Sequence, residues 1–596
     1  MIIVFGGTTE GRKAAEVLEQ AGKPFLYSTK TGAQDLALHH GVALSGGMTV
    51  EAMTACCRAH GVALIVDAAH PFAEALHLNI MLAARKLGVP VVRYERLYPP
   101  RDADLVWCAD FGDAVAQLER HHVGRLLALT GVNTIAKLRP YWQHHDACWF
   151  RILDRGSSLA TAVGQGFPPA RLAYYEHDDT AALISRLRPE AIITKESGIS
   201  GGFEEKVRAA RAAGVQVFVV MRPPLPDVGC QVLTVNGPRG LRRSVERLLP
   251  AFFPLHTGLT TGTCATAAAV AATYYMLTGE TPASVDVRLP DGETVGVEVG
   301  YEPSATSAAA IAPPATLSAT AYCVKDFSDD PDVTRGARIA ARVAVATDRP
   351  GGIRFLQGDG VGRVTLPGLG IAVGEPAINA TPRRCITESL QALTDAPLDV
   401  TISVAGGRQL AEKTFNPRVG VVDGISIIGT SGIVTPLSND AFVQSISREM
   451  EVARAMGCTA IGLASGKRGE EALLATMPSL RVIHYGNFVG QALARAHALG
   501  FGRVVLGIMI GKAVKLAEGH LDTHSHKVTM NRQFLVSVAR EAGIADAATA
   551  IGGITMAREL WGLMPPPFFE ALRRRCLEHC RRVFPTGDLD IIIHNA

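Results

Sequence analysis

A glycine-rich turn opens the chain. In FGGTTEGR, Gly6, Gly7 and Gly11 bracket Thr8 and Thr9, and Arg12 follows. Glycines let a backbone approach a pyrophosphate, and free N–H groups at a helix start meet its charge. Thr8 holds the middle place of G-x-G-x-x-G, so a plain tight turn is the alternative reading. A site of the NAD type usually puts an acid at the end of the second strand, for the ribose hydroxyls. Here that place holds Ser28, Thr29 and Lys30. Hydroxyls and a cation suit a 2′-phosphate, which favours NADPH. Two more turns carry chemistry. DAAHPFA sets His70 just past a strand, where an imidazole could move a proton or serve structure alone. TKESGISGG places Lys195, Ser197 and Gly198 in a loop before a helix. Ligands of open α/β sheets bind at that carboxyl edge.

The second half starts on a similar turn with different residues. HTGLTTGTCATAAA puts Thr260, Thr261 and Thr263 at a helix start. Their hydroxyls can cap the helix, and its N–H groups could hold a carboxylate. VKDFSDDPDVT gathers Asp326, Asp329, Asp330 and Asp332. That is either a solvated acidic turn or a site for a cation, an amine or a base. It is no EF-hand loop, because the required glycine and distant glutamate do not follow. GISIIGTSGIV, TAIGLASG, RVIHYGN and RVVLGIMIGK each read as a strand running into a Gly/Ser turn and a helix. Four such turns at one sheet edge would make an adenosyl pocket, with Gly429, Thr430, Ser431, Gly432, Gly486 and Asn487 as candidates. His520, His524 and His526 in GHLDTHSHK have only Asp522 for support. Cys576 and Cys580 in CLEHC lack a second ligand pair. No residue is assigned to a metal, and whether the histidine cluster binds one stays open.

The elements that must position these residues follow from periodicity. IIVFG, ALIVDAA, LLALTG, AIITKES and VQVFVV are continuously apolar, as parallel strands covered on both faces are. They alternate with helical patterns. Residues 1–251 are therefore expected to be α/β, with two Rossmann-like lobes and a cleft between them. Residues 256–410 read as an α+β lobe, with a hairpin at Asp291-Gly292 and a loop at PSATSAAAIAPPATLSATA. Residues 411–596 return to α/β. A net charge of +3 on 596 residues gives no argument for nucleic acid or an anionic membrane. Eleven scattered cysteines fit a reducing compartment. No apolar run approaches the roughly 18 residues of a membrane span, and no signal peptide is visible, so a soluble, cytoplasmic protein is expected. Oligomeric state is not legible.

GGTTEGR, DAAHPFA, TGVNTIAKL and TKESGISGGFEEKVRAARAAGV together resemble the precorrin-6A reductases of corrin biosynthesis (CobK/CbiJ), over residues 1–251. The resemblance implies nicotinamide-dependent reduction of one double bond in a partly built corrin macrocycle. Members on the oxygen-independent route are associated with NADH, so NADPH or NADH stays open. HTGLTTGTCATAAA, VKDFSDDPDVTRGA, GDGVGRVTLPGL, GEPAIN, FNPRVGVVDGISIIGTSGIVTPLS, HYGNFVGQAL and DTHS resemble the cobalt-precorrin-5B C(1)-methyltransferases (CbiD), from about His256 to Phe534. That family uses S-adenosylmethionine and pairs an α+β lobe with an α/β lobe. INATPRRCI departs from a more Pro-rich version of its segment. The implied partners are cobalt-containing tetrapyrroles with acetate and propionate arms. Arg383, Arg384, Thr260, Thr261 and Thr263 are candidates to hold those arms. Asp329 and Asp330 are the candidate base, and His70 or a water the proton source. The chain thus reads as two enzymes joined between Leu249 and His256. One would methylate cobalt-precorrin-5B to cobalt-precorrin-6A, the other reduce that to cobalt-precorrin-6B. The alternatives are one active half with a scaffold, or a tetrapyrrole carrier without chemistry.

Overall fold

The apolar runs of the first half do become parallel strands. The structure is a computed structural model that describes residues 1–32, 36–175, 177–302, 318–436, 439–524 and 530–595. The chain divides into two units: Met1–His256 with Asp291–Val295, and Thr257–Pro290 with Gly296–Ala596. Strands of the first half are β1 (Ile2–Phe5), β2 (Phe25–Thr29), β3 (Gly41–Ser45), β4 (Leu64–Asp67), β5 (Val91–Tyr94), β6 (Val106–Cys108), β7 (Leu126–Ala128), β8 (Cys148–Ile152), β9 (Leu172–Tyr174), β10 (Ala191–Lys195), β11 (Gln216–Val220) and β12 (Val232–Val235). They form two six-stranded sheets, ordered β12–β5–β4–β1–β2–β3 and β6–β11–β10–β7–β8–β9. All their pairings are parallel. The chain leaves the first sheet after β5 and returns to it with β12, so two crossings join the lobes.

Each first-half sheet buries both faces. Ile2 and Val4 pack with Ala14, Leu18, Leu241 and Val245, while Ile3 and Phe5 pack with Met53, Ile80 and Ala84. Burial of each such aliphatic side chain contributes roughly 1.5–3 kcal/mol. Strand order reverses between β1 and β4 and again between β7 and β10. A reversal leaves a crevice at the carboxyl ends, because successive crossover helices depart to opposite sides. Phe252 and Phe253 belong to the core of Leu241 and Val245.

From Thr257 on, the strands are β13 (Gly258–Leu259), β14 (Ser284–Arg288), β15 (Thr294–Glu298), β16 (Gly300–Tyr301), β17 (Ser318–Val324), β18 (Arg338–Val345), β19 (Ile353–Gln357), β20 (Arg363–Val364), β21 (Leu398–Val404), β22 (Val421–Val422), β23 (Ile433–Val434), β24 (Ala460–Ala464), β25 (Val482–His484), β26 (Arg503–Met509) and β27 (Asp588–His594). β14 and β15 form the expected hairpin. A mixed sheet runs β16–β17–β18–β21–β19. The helix Thr261–Thr278 lies on β17 and β18. Its alanines, such as Ala267, Ala268, Ala271 and Ala272, are buried nearly all round, as an enclosed helix requires. Facing strand residues are small too, with Ala319, Ala321 and Ala341 at the interface core. The last sheet is parallel and ordered β25–β24–β26–β27. Its order reverses between β24 and β26.

Two expectations change. GISIIGTSGIV is not a strand of that parallel sheet. Ile425 and Ile427 make isolated bridges to Val361 and Ile378, and β23 pairs antiparallel with β13. Polar turn carbonyls in this segment bond the helix start at Thr260–Gly262, which holds it in the α+β part. The end of the Ala/Pro loop, Ser318–Ala321, is strand β17. The rest of that loop from residue 303 to 317 lies outside the described residues.

Candidate functional site

The glycine turn after β1 is shaped by one tyrosine. A Cβ on Gly6 would fall inside the Tyr27 phenol, and one on Gly11 would sit 2.7 Å from the Gly6 Cα. The Gly7 N–H donates to Tyr27 Oη at 3.2 Å, and Gly7 has φ +89°. Thr8 caps the helix Thr9–Glu19, accepting from the Gly11 N–H at 2.9 Å and donating to the Ala68 carbonyl at 2.7 Å. Thr8 thus ties the β1 turn to the β4 turn, across the crevice of the first sheet. Ser28 is buried, its carbonyl accepting from the Gly6 N–H, while Thr29 accepts from the Gly32 N–H and Lys30 is exposed. The turn fits a dinucleotide phosphate because its backbone is bare where side chains would intrude.

At the end of β4 a buried charge network fixes His70. Asp67 binds His77 Nδ1 at 2.6 Å and Arg93 Nη1 at 3.0 Å, with all three side chains nearly inaccessible. His77 Nε2 faces the His70 carbonyl at 3.0 Å. The His70 Nδ1 accepts the Phe72 N–H at 3.2 Å, so the ring proton resides on Nε2. Burial, with the charges of Lys195 and Arg96, pushes the His70 pKa down to about 3. The ring is neutral at physiological pH and can offer an N–H, but it is no imidazolium acid.

Across the crevice, Lys195 ends β10, with its Nζ 5.2 Å from the Phe72 ring centre. Arg96 links the lobes, binding Glu10 at 3.0 Å and donating to the Ser197 carbonyl at 2.7 Å. Ser200 also bonds Glu10. Gly198, at φ +69°, lets the Leu97 carbonyl and Arg96 pass where a Cβ would stand within 3 Å. Arg12 is exposed on its helix and Thr9 is exposed at the helix start.

In the second half, the helix Thr261–Thr278 gathers several sequence candidates at its start. Thr260 caps it, accepting the Thr263 N–H at 3.2 Å. The Thr263 hydroxyl donates to the Gly432 carbonyl at 2.7 Å, and Thr261 exchanges bonds with Ile428. A Cβ on Gly429 would overlap Thr260. The three threonines are buried and engaged in holding the 428–432 turn, on which Thr430 is exposed and Ser431 half-buried. Asp326 accepts the Leu259 N–H at 2.6 Å, which docks the acidic loop beside the same helix start. Asp332 pairs with buried Lys325 at 2.6 Å, whose hydrogen bond and charge lower its pKa against the opposing effect of burial. Asp329 is exposed and Asp330 half-buried. The Arg383 guanidinium binds the Ile378 and Pro376 carbonyls and Glu375. Arg384 is exposed beside Glu388.

A separate set lies at the carboxyl edge of β25, β24 and β26. Gly486 has φ +61°, and its carbonyl accepts from Lys512 at 2.6 Å. The Asn487 carbonyl accepts from the Thr523 N–H at 3.0 Å. His484 meets Glu470 at 2.9 Å, and Arg418 bridges Glu470 and Glu449. Burial raises the Glu449 pKa and, joined by Lys515, lowers that of Lys512 to about 8. Helix Lys467–Thr476 starts at Gly466 without a side-chain cap.

Residues 251–436 match the CbiD family model. A cobalt-precorrin-5B C(1)-methyltransferase of Prosthecochloris aestuarii is 43% identical over 355 residues, covering 57% of this chain and 93% of that protein. One from Pseudomonas putida is 43% identical over 313 residues, covering 51% and 82%. The chain belongs to the cobalt-precorrin-5B C(1)-methyltransferase family. Residues 1–238 match the family model described as precorrin-6x reductase CbiJ/CobK, so the chain is a fusion of the two families. A solved CobK precorrin-6A reductase aligns at 23% identity and a TM-score of 0.34, covering 42% of this chain and 97% of that one.

Within the methyltransferase-family half, the fold separates candidates that sequence order had grouped. Gly429–Gly432 join the threonines and the acidic loop, while Gly486 and Asn487 stand at the parallel-sheet edge. Arg418, Glu449, Glu470, His484 and Lys512 were not singled out by the sequence. The signal for His484 was available, since it ends the strand in RVIHYGN. Among the described residues, no group of three or more His, Cys, Asp or Glu could hold a metal, and His526 lies outside them. No helix among them is long and apolar enough to cross a membrane.

Proposed function

We infer that the chain is a bifunctional enzyme of corrin biosynthesis, methylating cobalt-precorrin-5B and reducing the resulting cobalt-precorrin-6A. The observation that carries this is the succession of the two family matches in one chain. Over the reductase half, the pyrophosphate of a reduced nicotinamide would lie on Gly6, Gly7 and the start of helix Thr9–Glu19. The cofactor supplies hydride; this chain aligns it and excludes water. Lys30 with Thr29 supports NADPH. Lys30→Ala is expected to raise the KM for NADPH about tenfold, equivalent to roughly 1.4 kcal/mol, with that for NADH little changed. Equal effects on both nucleotides would reject a 2′-phosphate contact.

For methyl transfer, the reversal between β24 and β26 supports an S-adenosylmethionine site at Ser465–Gly466 and Gly486–Asn487. The Thr260–Thr263 turn with Asp329 and Asp330 then faces the tetrapyrrole as the candidate acceptor side. A Cβ on Gly486 would meet Phe442 at 2.9 Å in a left-handed conformation. Gly486→Val should therefore weaken S-adenosylmethionine binding at least tenfold by calorimetry; an unchanged Kd would place the donor elsewhere.

The deciding experiment supplies cobalt-precorrin-5B, S-adenosylmethionine and NADPH to the intact chain. Both cosubstrates should be consumed as the chromophore changes. A spectral perturbation with no turnover would instead mean a carrier, and consumption of one cosubstrate only would mean a single active half. Given purified cobalt-precorrin-6A and NADPH, the chain should also reduce it without the methyl donor.

A further inference from the structure

We propose that Lys195 is the proton donor of the reductase half, delivering a proton from its ammonium group to the macrocycle carbon next to the one that receives hydride. This rests on the reductase reading above. Lys195 stands at the carboxyl end of β10, beside the β7/β10 reversal, and faces the Phe72 ring of the β4 turn at 5.2 Å. Phe72 is held in turn by its N–H bond to His70. The ammonium therefore sits between the two crevices that the strand orders create. It is half-buried, and among the described residues it makes no hydrogen bond and no ion pair.

Such a group is costly for a fold, and the Phe72 ring offsets only part of that cost. The titratable and charged neighbours are Lys206 on helix Phe203–Ala212, Lys137, Arg96 after β5, and His70. Lys137 already pairs with Glu74 and Arg96 with Glu10. Lys206 donates to the Gly201 carbonyl at 3.1 Å. His70 is neutral. Lys195 is thus the acid of this cluster whose proton is uncommitted. Burial, then repulsion from Lys206, Lys137 and Arg96, lowers its pKa to about 8, near the range in which a general acid works best. The step balances. Hydride from the nicotinamide and the ammonium proton add across one carbon–carbon double bond. The nicotinamide leaves oxidised, and the neutral amine recovers its proton from water.

Lys195→Arg separates acid from charge, because guanidinium keeps the cation but cannot release a proton. Positioned acids contribute about 10²–10⁴-fold. We therefore expect Lys195→Arg and Lys195→Met each to lower the kcat of cobalt-precorrin-6A reduction at least 100-fold. Nicotinamide Kd, read by fluorescence, should stay within threefold. The wild-type kcat should fall above about pH 8, and that limb should vanish from the residual rate of both variants. Reductive methylation with ¹³C-formaldehyde, followed by NMR titration of the modified Lys195 in the intact chain, should give a midpoint well below an ordinary lysine. Retention of kcat within threefold in Lys195→Arg overturns the proposal and leaves an anion anchor. So does persistence of the alkaline limb, or an ordinary lysine midpoint. A wild-type chain that never oxidises nicotinamide with cobalt-precorrin-6A overturns the reductase reading itself, and the proposal with it.

Discussion

Gly6→Val is expected to abolish nicotinamide binding while leaving methyl transfer within about twofold of the parent. The added carbon atoms would occupy the space of the Tyr27 phenol, which is buried between β1 and the turn. Tyr27 must then swing away, and the Gly7 N–H loses its acceptor. Overpacking of this kind costs roughly 1–3 kcal/mol. The larger effect falls on the cofactor, since the backbone that meets its pyrophosphate is displaced. A loss of at least 100-fold in NADPH affinity, measured by fluorescence titration, is expected. Tyr27→Ala in the same chain should recover part of it by reopening the space. NADPH affinity unchanged in Gly6→Val would show that the nucleotide does not approach this turn. Methyl transfer provides the internal control, because its family residues begin at residue 251.

Asp67→Ala should be the most destabilising single change in the reductase-family half. The carboxylate is fully buried and is the shared partner of His77 and Arg93. Its removal leaves the Arg93 charge without its deepest ion-pair partner, with Glu95 at 3.3 Å and the Asp67 and Ala69 carbonyls remaining. Breaking a buried pair from one side costs about 3–5 kcal/mol. For a unit of this size that lowers Tm by on the order of 10 °C. Thermal inactivation of NADPH oxidation measures it; a shift below 2 °C would contradict the account. The pH dependence follows. Burial alone would raise the Asp67 pKa, but its hydrogen bond to His77 and the Arg93 charge hold the carboxyl below its ordinary range. A depressed carboxylate stabilises the fold above its unfolded value of about 3.9, and that contribution is lost as pH falls through the folded value. Acid inactivation should therefore begin below about pH 4 in the parent and be less steep in Asp67→Asn.

The relation between sequence and structure differs between the two halves. In the first, the five apolar runs became β1, β4, β7, β10 and β11, while β3, β6, β8, β9 and β12 carried no such signal. Parallel strands buried on both faces leave an unbroken apolar run, and each run ends at a glycine or polar turn. Gly6, Gly11, His70 and Lys195 were therefore legible as sheet-edge residues. Their protonation states were not. The neutral His70 and the unpaired Lys195 depend on burial and on which charges the fold gathers around the crevice, from Arg96 and Lys137 as well as from each other's strand end.

In the second half, local pattern misplaced one element. Ile425 and Ile427 have the composition of a buried strand, yet their carbonyls accept from Gly362 and Asn379, that of Ile428 from Thr261 and Gly262, and that of Gly432 from Thr260 and Thr263. Composition cannot tell a strand from such a segment, since both bury the same side chains. The sequence by itself determined the parallel sheets and the glycine turns, because these rest on short-range periodicity and on conformations that few residues tolerate; the two-enzyme organisation came from its resemblance to two families. Tertiary structure alone decided which turns share a site. It brought the Thr260 turn, the acidic loop and Gly429–Gly432 together, placed Gly486 with Lys512 at another edge, and set Lys195 opposite His70. Those groupings depend on backbone hydrogen bonds and burial between distant segments, which leave no periodic trace along the chain.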